Sequence, residues 1–131
     1  MGKQNTARIT VAFGRDIWEH ELKAANVLLR YGYTVCFLPE DKRLKSADIL
    51  LDGVEFEIKS PVSGKLSAVE RNLKEASRQA ENIVLDARRM KGLRDENVQR
   101  FLSTKLKLQK SIKRLLFINK KGELIDISAL G

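Results

Sequence analysis

The sequence predicts an α/β (α+β) fold, a mixed sheet packed by helices, with a helix-strand-strand-strand-helix-strand core followed by a C-terminal helix and hairpin. Three observations predict it. Stretches with helical period at residues 16–33, 67–82 and 95–110 alternate with short apolar runs bounded by Gly, Pro or Asp. Asp52-Gly53 separates two such runs by the two residues of a tight hairpin. A length of 131 residues suits one modest core, so residues 1–131 are read as a single domain.

The elements follow in order. "DIWEHELKAANVLLRYGY" reads as a helix capped by Asp16, with Ile17, Glu21, Ala24 and Leu28 in one row, Trp18, Leu22, Ala25 and Leu29 in the next, and Gly32 as its stop. "YTVCFLP" is a buried strand ended by Pro39, with Cys36 as a core thiol, and "EDKRLKS" is a charged loop. "ADILL" and "VEFEIKS" form the hairpin around Asp52-Gly53. Ser67 and Glu70 match the S-x-x-E capping box of a second helix that turns Val69, Leu73, Ala76 and Ala80 inward. "NIVLDA" is a buried strand, "DENVQRFLSTKLKLQK" a helix with Val98, Phe101, Leu102 and Leu106 inward, and "RLLFINKKGELIDI" a closing hairpin.

Composition narrows the function. Hydrophobic residues make up 43% and charged residues 32%, a globular balance with no apolar run near the roughly 18 residues that span a bilayer. The N-terminus lacks a secretory hydrophobic region, and Met1-Gly2 reads as an ordinary start and not a myristoylation signal. The expected site of action is cytoplasmic, with delivery as part of a larger secreted protein left open. A net charge of +8 and a pI near 9.8 point to a polyanionic partner. Much of the excess sits in "RRMKGLR" (Arg88 to Arg94) and "TKLKLQKSIKR" (Thr104 to Arg114). Cys36 is the single cysteine, which excludes a disulfide framework, and His20 is the single histidine, which excludes His-rich zinc sites and two-histidine acid-base pairs. Aromatic residues are 6% and fall mostly at core positions, so recognition of backbone and shape is expected without a base-stacking platform.

The hairpin raises a question of charge. Pairing Leu51 with Val54 sets Leu50 against Glu55, Ile49 against Phe56 and Asp48 against Glu57. Ile49, Leu51, Val54, Phe56 and Ile58 then share an apolar face, and Asp48, Glu55, Glu57 and Lys59 share the other. Opposed residues have Cβ atoms about 4.5–5.5 Å apart, where like charges repel by roughly 1 kcal/mol in water and more at lower dielectric. A shared proton, a salt bridge from Lys59 or a bound cation would offset this. A solvent-facing sheet surface with alternating Glu and Lys is the plainer alternative. Against it, Glu21 falls in the apolar row of the first helix, and Asn72 and Gln79 bracket Ala76 on the second, so polar groups of both helices are expected to converge on the hairpin. Two carboxylates bridged by a hard divalent cation, Mg2+ or Mn2+, beside a lysine suit phosphodiester hydrolysis.

These residues resemble the signature of the PD-(D/E)xK nuclease superfamily: Asp48, eight intervening residues, then Glu57-Ile58-Lys59, with Ala47 standing where proline often precedes the aspartate. The resemblance implies Asp48 and Glu57 as metal ligands and Asp48, Glu57, Lys59, Glu21 and Gln79 as catalytic residues. "HELKAANVLLRYGYTVCFLP", "ADILLDGVEFEIKSP", "ERNLKEASRQAENIVLDARR" and "IKRLLFINKKGELIDI" are further similar to the C-terminal tRNA-nuclease domains of CdiA contact-dependent inhibition toxins. That resemblance implies an endonuclease toxin acting on RNA, tRNA above all, with DNA as the alternative substrate and an acidic immunity protein as partner. Some toxin nucleases instead adopt the barnase, EndoU, colicin and RelE-like fold and cleave RNA without metal. In that alternative Lys59, Ser60, Arg71 and Asn72 contact the scissile phosphate and His20 or Glu57 takes the 2′-hydroxyl proton. Ser60, Arg71, Asn72, Arg88, Arg89 and Lys91 are the expected nucleic-acid contacts. A non-catalytic nucleic-acid-binding module and a purely structural domain are the competing classes.

Overall fold

The computed structural model describes residues 7–40 and 47–130; the Met1-Gly2 start and most of the expected charged loop lie outside them. Seven strands form one sheet in chain order: β1 (Ile9–Val11), β2 (Val35–Phe37), β3 (Ile49–Leu51), β4 (Val54–Lys59), β5 (Asn82–Asp86), β6 (Arg114–Ile118) and β7 (Leu124–Asp126). Helices α1 (Glu19–Arg30), α2 (Leu66–Ser77) and α3 (Asp95–Leu108) interrupt them, and a 3-10 turn, Ile127–Ala129, follows β7. β3 and β7 run antiparallel to their neighbours and all other pairings are parallel. The C-terminal ends of five strands therefore gather at one end of the sheet with the N-terminal ends of β3 and β7.

Alternation along the strands divides the core in two. Val35, Phe37, Ile49, Leu51, Phe56, Ile58, Val84, Leu116 and Ile118 pack with Ala24, Ala25, Val27 and Leu28 of α1. Ile83, Leu85, Leu115 and Phe117 pack on the other face with Val69, Leu73 and Ala76 of α2 and Val98 and Leu102 of α3. Both faces are covered, so neither face of the central strands is a solvated surface.

Several local expectations are corrected. β1 is additional to the expected order: three edge residues, two of them exposed, hold too little pattern to announce a strand. Trp18 and not Asp16 precedes α1, and the Glu21 carboxylate accepts the Trp18 backbone N–H at 3.0 Å. Trp18 and Leu22, expected inward, are exposed. α2 starts one residue before Ser67, which thus lies inside the first turn, and Glu70 pairs with Lys105 of α3 instead of closing a capping box. Cys36 alternates with the two buried residues of β2 and is only half-buried.

Candidate active site

The site begins with the hairpin turn. Asp52 and Gly53 have φ of 48° and 83°, the pair of left-handed residues a type I′ turn requires. The Asp52 carboxylate accepts the Thr34 N–H at 2.8 Å and ties the turn to the approach to β2. Leu51 pairs with Val54, Leu50 with Glu55 and Ile49 with Phe56, the register expected from the sequence, although Val54 is exposed at the tip. One step further, Asp48 lies beside Glu57, and its Oδ2 accepts the Ile58 N–H at 2.9 Å.

Glu57 sits opposite Ile83 and Lys59 opposite Leu85, both of the α2 cluster, so the acidic face of the hairpin turns under α2. Glu57 is only 6% exposed, which rules out the solvent-facing surface. Burial, then the charge of Asp48 and a hydrogen bond to it, pushes the Glu57 carboxyl up to about 8. Burial also raises Asp48, against the opposing effect of the Ile58 N–H. Both carboxyls are thus pushed toward their protonated forms, Glu57 by burial and by the charge of Asp48.

Two cations flank the pair. Lys59 Nζ stands 3.9 Å from Glu57 Oε2 and 3.4 Å from Glu75 Oε2 of α2. Arg15, which sequence reasoning missed, follows β1 as a buried guanidinium 3.3 Å from Glu21 and 3.9 Å from Asp48. Its Nε donates to the Leu38 carbonyl at 2.9 Å and its plane stands over the Phe37 ring. Glu21 is buried as expected, but it reaches the pair through Arg15: its carboxylate is engaged by that guanidinium and by the Trp18 N–H. One arginine between a short strand and a helix has no sequence pattern of its own, and Glu75 reads as an ordinary surface position of α2.

Two buried side-chain oxygens among the described residues find no hydrogen-bond partner, Glu57 Oε1 and Ser60 Oγ, and both belong to this site. Such atoms cost free energy unless something fills the gap. Arg89, at the turn after β5, donates to the Ser60 carbonyl at 3.3 Å. The neighbouring Arg88 is held by Asp86 in a two-pronged contact of 3.0 and 2.8 Å. Asp86, Arg88 and Arg89 line a cleft of about 410 Å³ with Glu19, His20 and Lys23 of α1. Lys91 is exposed, and its carbonyl lies 1.7 Å from where a Cβ on Gly64 would stand, so the loop before α2 must carry glycine.

Other expected residues are elsewhere. Gln79 lines a groove with Gly53, Val54 and Glu55 at the opposite end of β4, because α2 runs away from the strand ends and carries its last turn there. Asn72 donates back to the Ala68 carbonyl of its own helix at 2.7 Å, and Arg71 is exposed on α2. The basic run from Thr104 to Arg114 spans the end of α3 and the start of β6, at the far end of the sheet from Asp48.

No group of three His, Cys, Asp or Glu side chains with metal-binding spacing occurs among the described residues. The Asp48 and Glu57 pair fits Mg2+ or Mn2+ all the same. Such cations keep several waters and take one or two carboxylates, and Glu57 Oε1 is an unpartnered oxygen of the right hardness.

The structure thus defines an α/β domain whose site, a carboxylate pair with a lysine, lies at the end of a mixed sheet. By its sequence the chain belongs to the contact-dependent growth inhibition CdiA C-terminal domain family, whose profile matches residues 45–124. The fold is similar to that of a chain from the CdiA-CT/CdiI toxin and immunity complex from Burkholderia pseudomallei, with a TM-score of 0.72 and 19% identity over 92% of this chain and 98% of the other. No curated protein matches the sequence.

Proposed function

We propose that this domain is a toxin endonuclease that hydrolyses phosphodiester bonds of RNA, with tRNA as the favoured substrate. The observation that carries the proposal is a buried Glu57 beside a half-buried Asp48 and Lys59, with unpartnered buried oxygens on Glu57 and on Ser60 at the end of the same strand. A stable domain has no structural need for two opposed carboxylates under a helix. A nucleic-acid-binding module would not need them either. The D…ExK spacing and the family of the chain support the same reading.

Asp48 and Glu57 would hold the Mg2+ or Mn2+ ion, which supplies Lewis-acid polarisation of the phosphoryl oxygen and acidifies the attacking water. Lys59, oriented by Glu75, places its ammonium where negative charge builds on the phosphate. Arg15 fixes Asp48 from behind, and Arg89 holds the end of β4 through the Ser60 carbonyl. A metal-independent RNase is favoured by one observation, His20 in the cationic cleft with Arg88 and Arg89, and EDTA distinguishes the two.

Such an enzyme endangers the cell that makes it. An immunity protein is the expected partner, and it should be acidic to match a +8 surface. The test is expression of the chain alone in bacteria. Growth arrest with tRNA fragments, absent for Glu57→Gln, is the expected result. Arrest with fragmented DNA would reassign the substrate, and normal growth with intact tRNA and DNA at good soluble expression would contradict the toxin nuclease.

A further inference from the structure

The structure presents an aromatic surface where the sequence led us to expect none. Trp18 is 65% exposed although it immediately precedes α1. Its backbone is committed to Glu21, while its indole lies nearly parallel to the His20 ring, with centroids 6.4 Å apart and an angle of 18° between planes. Exposing a ring of that size forgoes the burial that usually justifies tryptophan. His20 in turn lines the cleft with Lys23, Arg88 and Arg89.

The charges of that cleft are unequal in availability. Lys23 is paired with Glu19 at 3.2 Å and Arg88 with Asp86 at 2.8 Å. No carboxylate among the described residues pairs with Arg89, which donates to a carbonyl and so keeps its charge uncancelled. That carbonyl belongs to Ser60, next to Lys59, so Arg89 links the cleft to the end of β4 that carries the lysine. Its volume of about 410 Å³ falls within the roughly 300–1,000 Å³ of small-ligand sites.

A flat aromatic pair beside an uncancelled guanidinium is the chemistry that receives a nucleotide: ring on base, cation on phosphate. We propose that Trp18, stacked on His20 at the rim of the Arg89 cleft, is the platform for the base of an unpaired nucleotide that flanks the scissile phosphate. The platform rests on the nuclease reading and deepens it, because it makes single-stranded segments, loops and ends the preferred targets. A base inside a duplex has both its faces covered and cannot reach the indole.

Trp18 is the single tryptophan of the chain, so its fluorescence reports on this surface alone. The experiment titrates the Glu57→Gln protein with a single-stranded RNA oligonucleotide and with the same sequence as a blunt duplex, following indole fluorescence and, independently, mobility shift. The single strand should quench saturably and the duplex should bind without quenching. Trp18→Ala should weaken single-strand binding about 5- to 100-fold, the range of one base stack, and leave duplex binding unchanged. Trp18→Tyr should restore most of the loss, which a merely structural role at the start of α1 would not show. Binding of the single strand without quenching, or equal losses for both RNA forms, would overturn the platform, leave the nuclease standing and hand the exposed indole to a protein partner. Absence of any RNA binding by mobility shift would overturn both.

Discussion

A carboxyl that keeps its proton to about pH 8 makes Glu57 the most informative side chain of the molecule. Between its ordinary value of 4.5 and about 8, the folded protein holds a proton that the unfolded chain has released. Stability contributed by that proton is complete below 4.5 and is lost as pH rises through about 8. In EDTA the melting temperature should therefore fall across this window, and Glu57→Gln, which mimics the protonated carboxyl, should flatten the fall. Mg2+ or Mn2+ should raise the melting temperature more at the alkaline end, where no proton competes. A pH-independent response to metal would place the cation elsewhere. Arg15 is the complementary case. Arg15→Met leaves Glu21 and Asp48 without their guanidinium, and about 3–5 kcal/mol should be lost in urea unfolding, with partial recovery on adding Glu21→Gln. The acidic members were legible in the sequence because a two-residue turn fixes which residues oppose each other. Arg15 was not legible, because a residue that acts from the turn after a three-residue edge strand leaves neither period nor spacing.

Elements matter here by what they bring to the strand ends. The β3–β4 hairpin delivers Asp48 and Glu57, the turn after β5 delivers Arg89, and α1 delivers Glu21 and His20 at its first turn. The loop before α2 closes the gap between them, where Gly64 meets the Lys91 carbonyl. Gly64→Ala should cost roughly 1–3 kcal/mol by overpacking and should lower activity beyond its effect on stability, since both segments flank the site. Wild-type cleavage rates in a stable Gly64→Ala protein would show that this contact does not position anything. Helix cores and the start of α3 were readable, but the starts of α1 and α2 were not. Ser67 and Glu70 satisfy the capping-box spacing, yet the α2–α3 packing draws Glu70 to Lys105. Trp18 reads as an inward residue by period alone, and only the exposed start of α1 shows otherwise. Gln79 fails for a similar reason: position along a helix decides which end of the sheet a side chain reaches, and facing alone does not.

At the scale of the whole molecule the positive charge is divided between the two ends of the sheet. Arg88, Arg89 and Lys91 stand at the end that carries Asp48 and Glu57, while Lys107 and Lys110 stand at the other. Replacing Arg89 and Lys91 by Gln should flatten the dependence of RNA binding on salt by about one log-log unit for each lost phosphate contact. Replacing Lys107 and Lys110 should leave cleavage rates unchanged, and an equal loss from both pairs would mean that RNA wraps the whole domain. The central claim, that Asp48, Glu57 and Lys59 form a nuclease site, is tested most directly with purified protein and total tRNA, with and without EDTA. Wild-type protein should produce discrete fragments that EDTA suppresses, while Glu57→Gln and Lys59→Ala, folded to within a few degrees of wild type, should produce none. Intact tRNA with the wild-type protein, or undiminished cleavage by either variant, would contradict it.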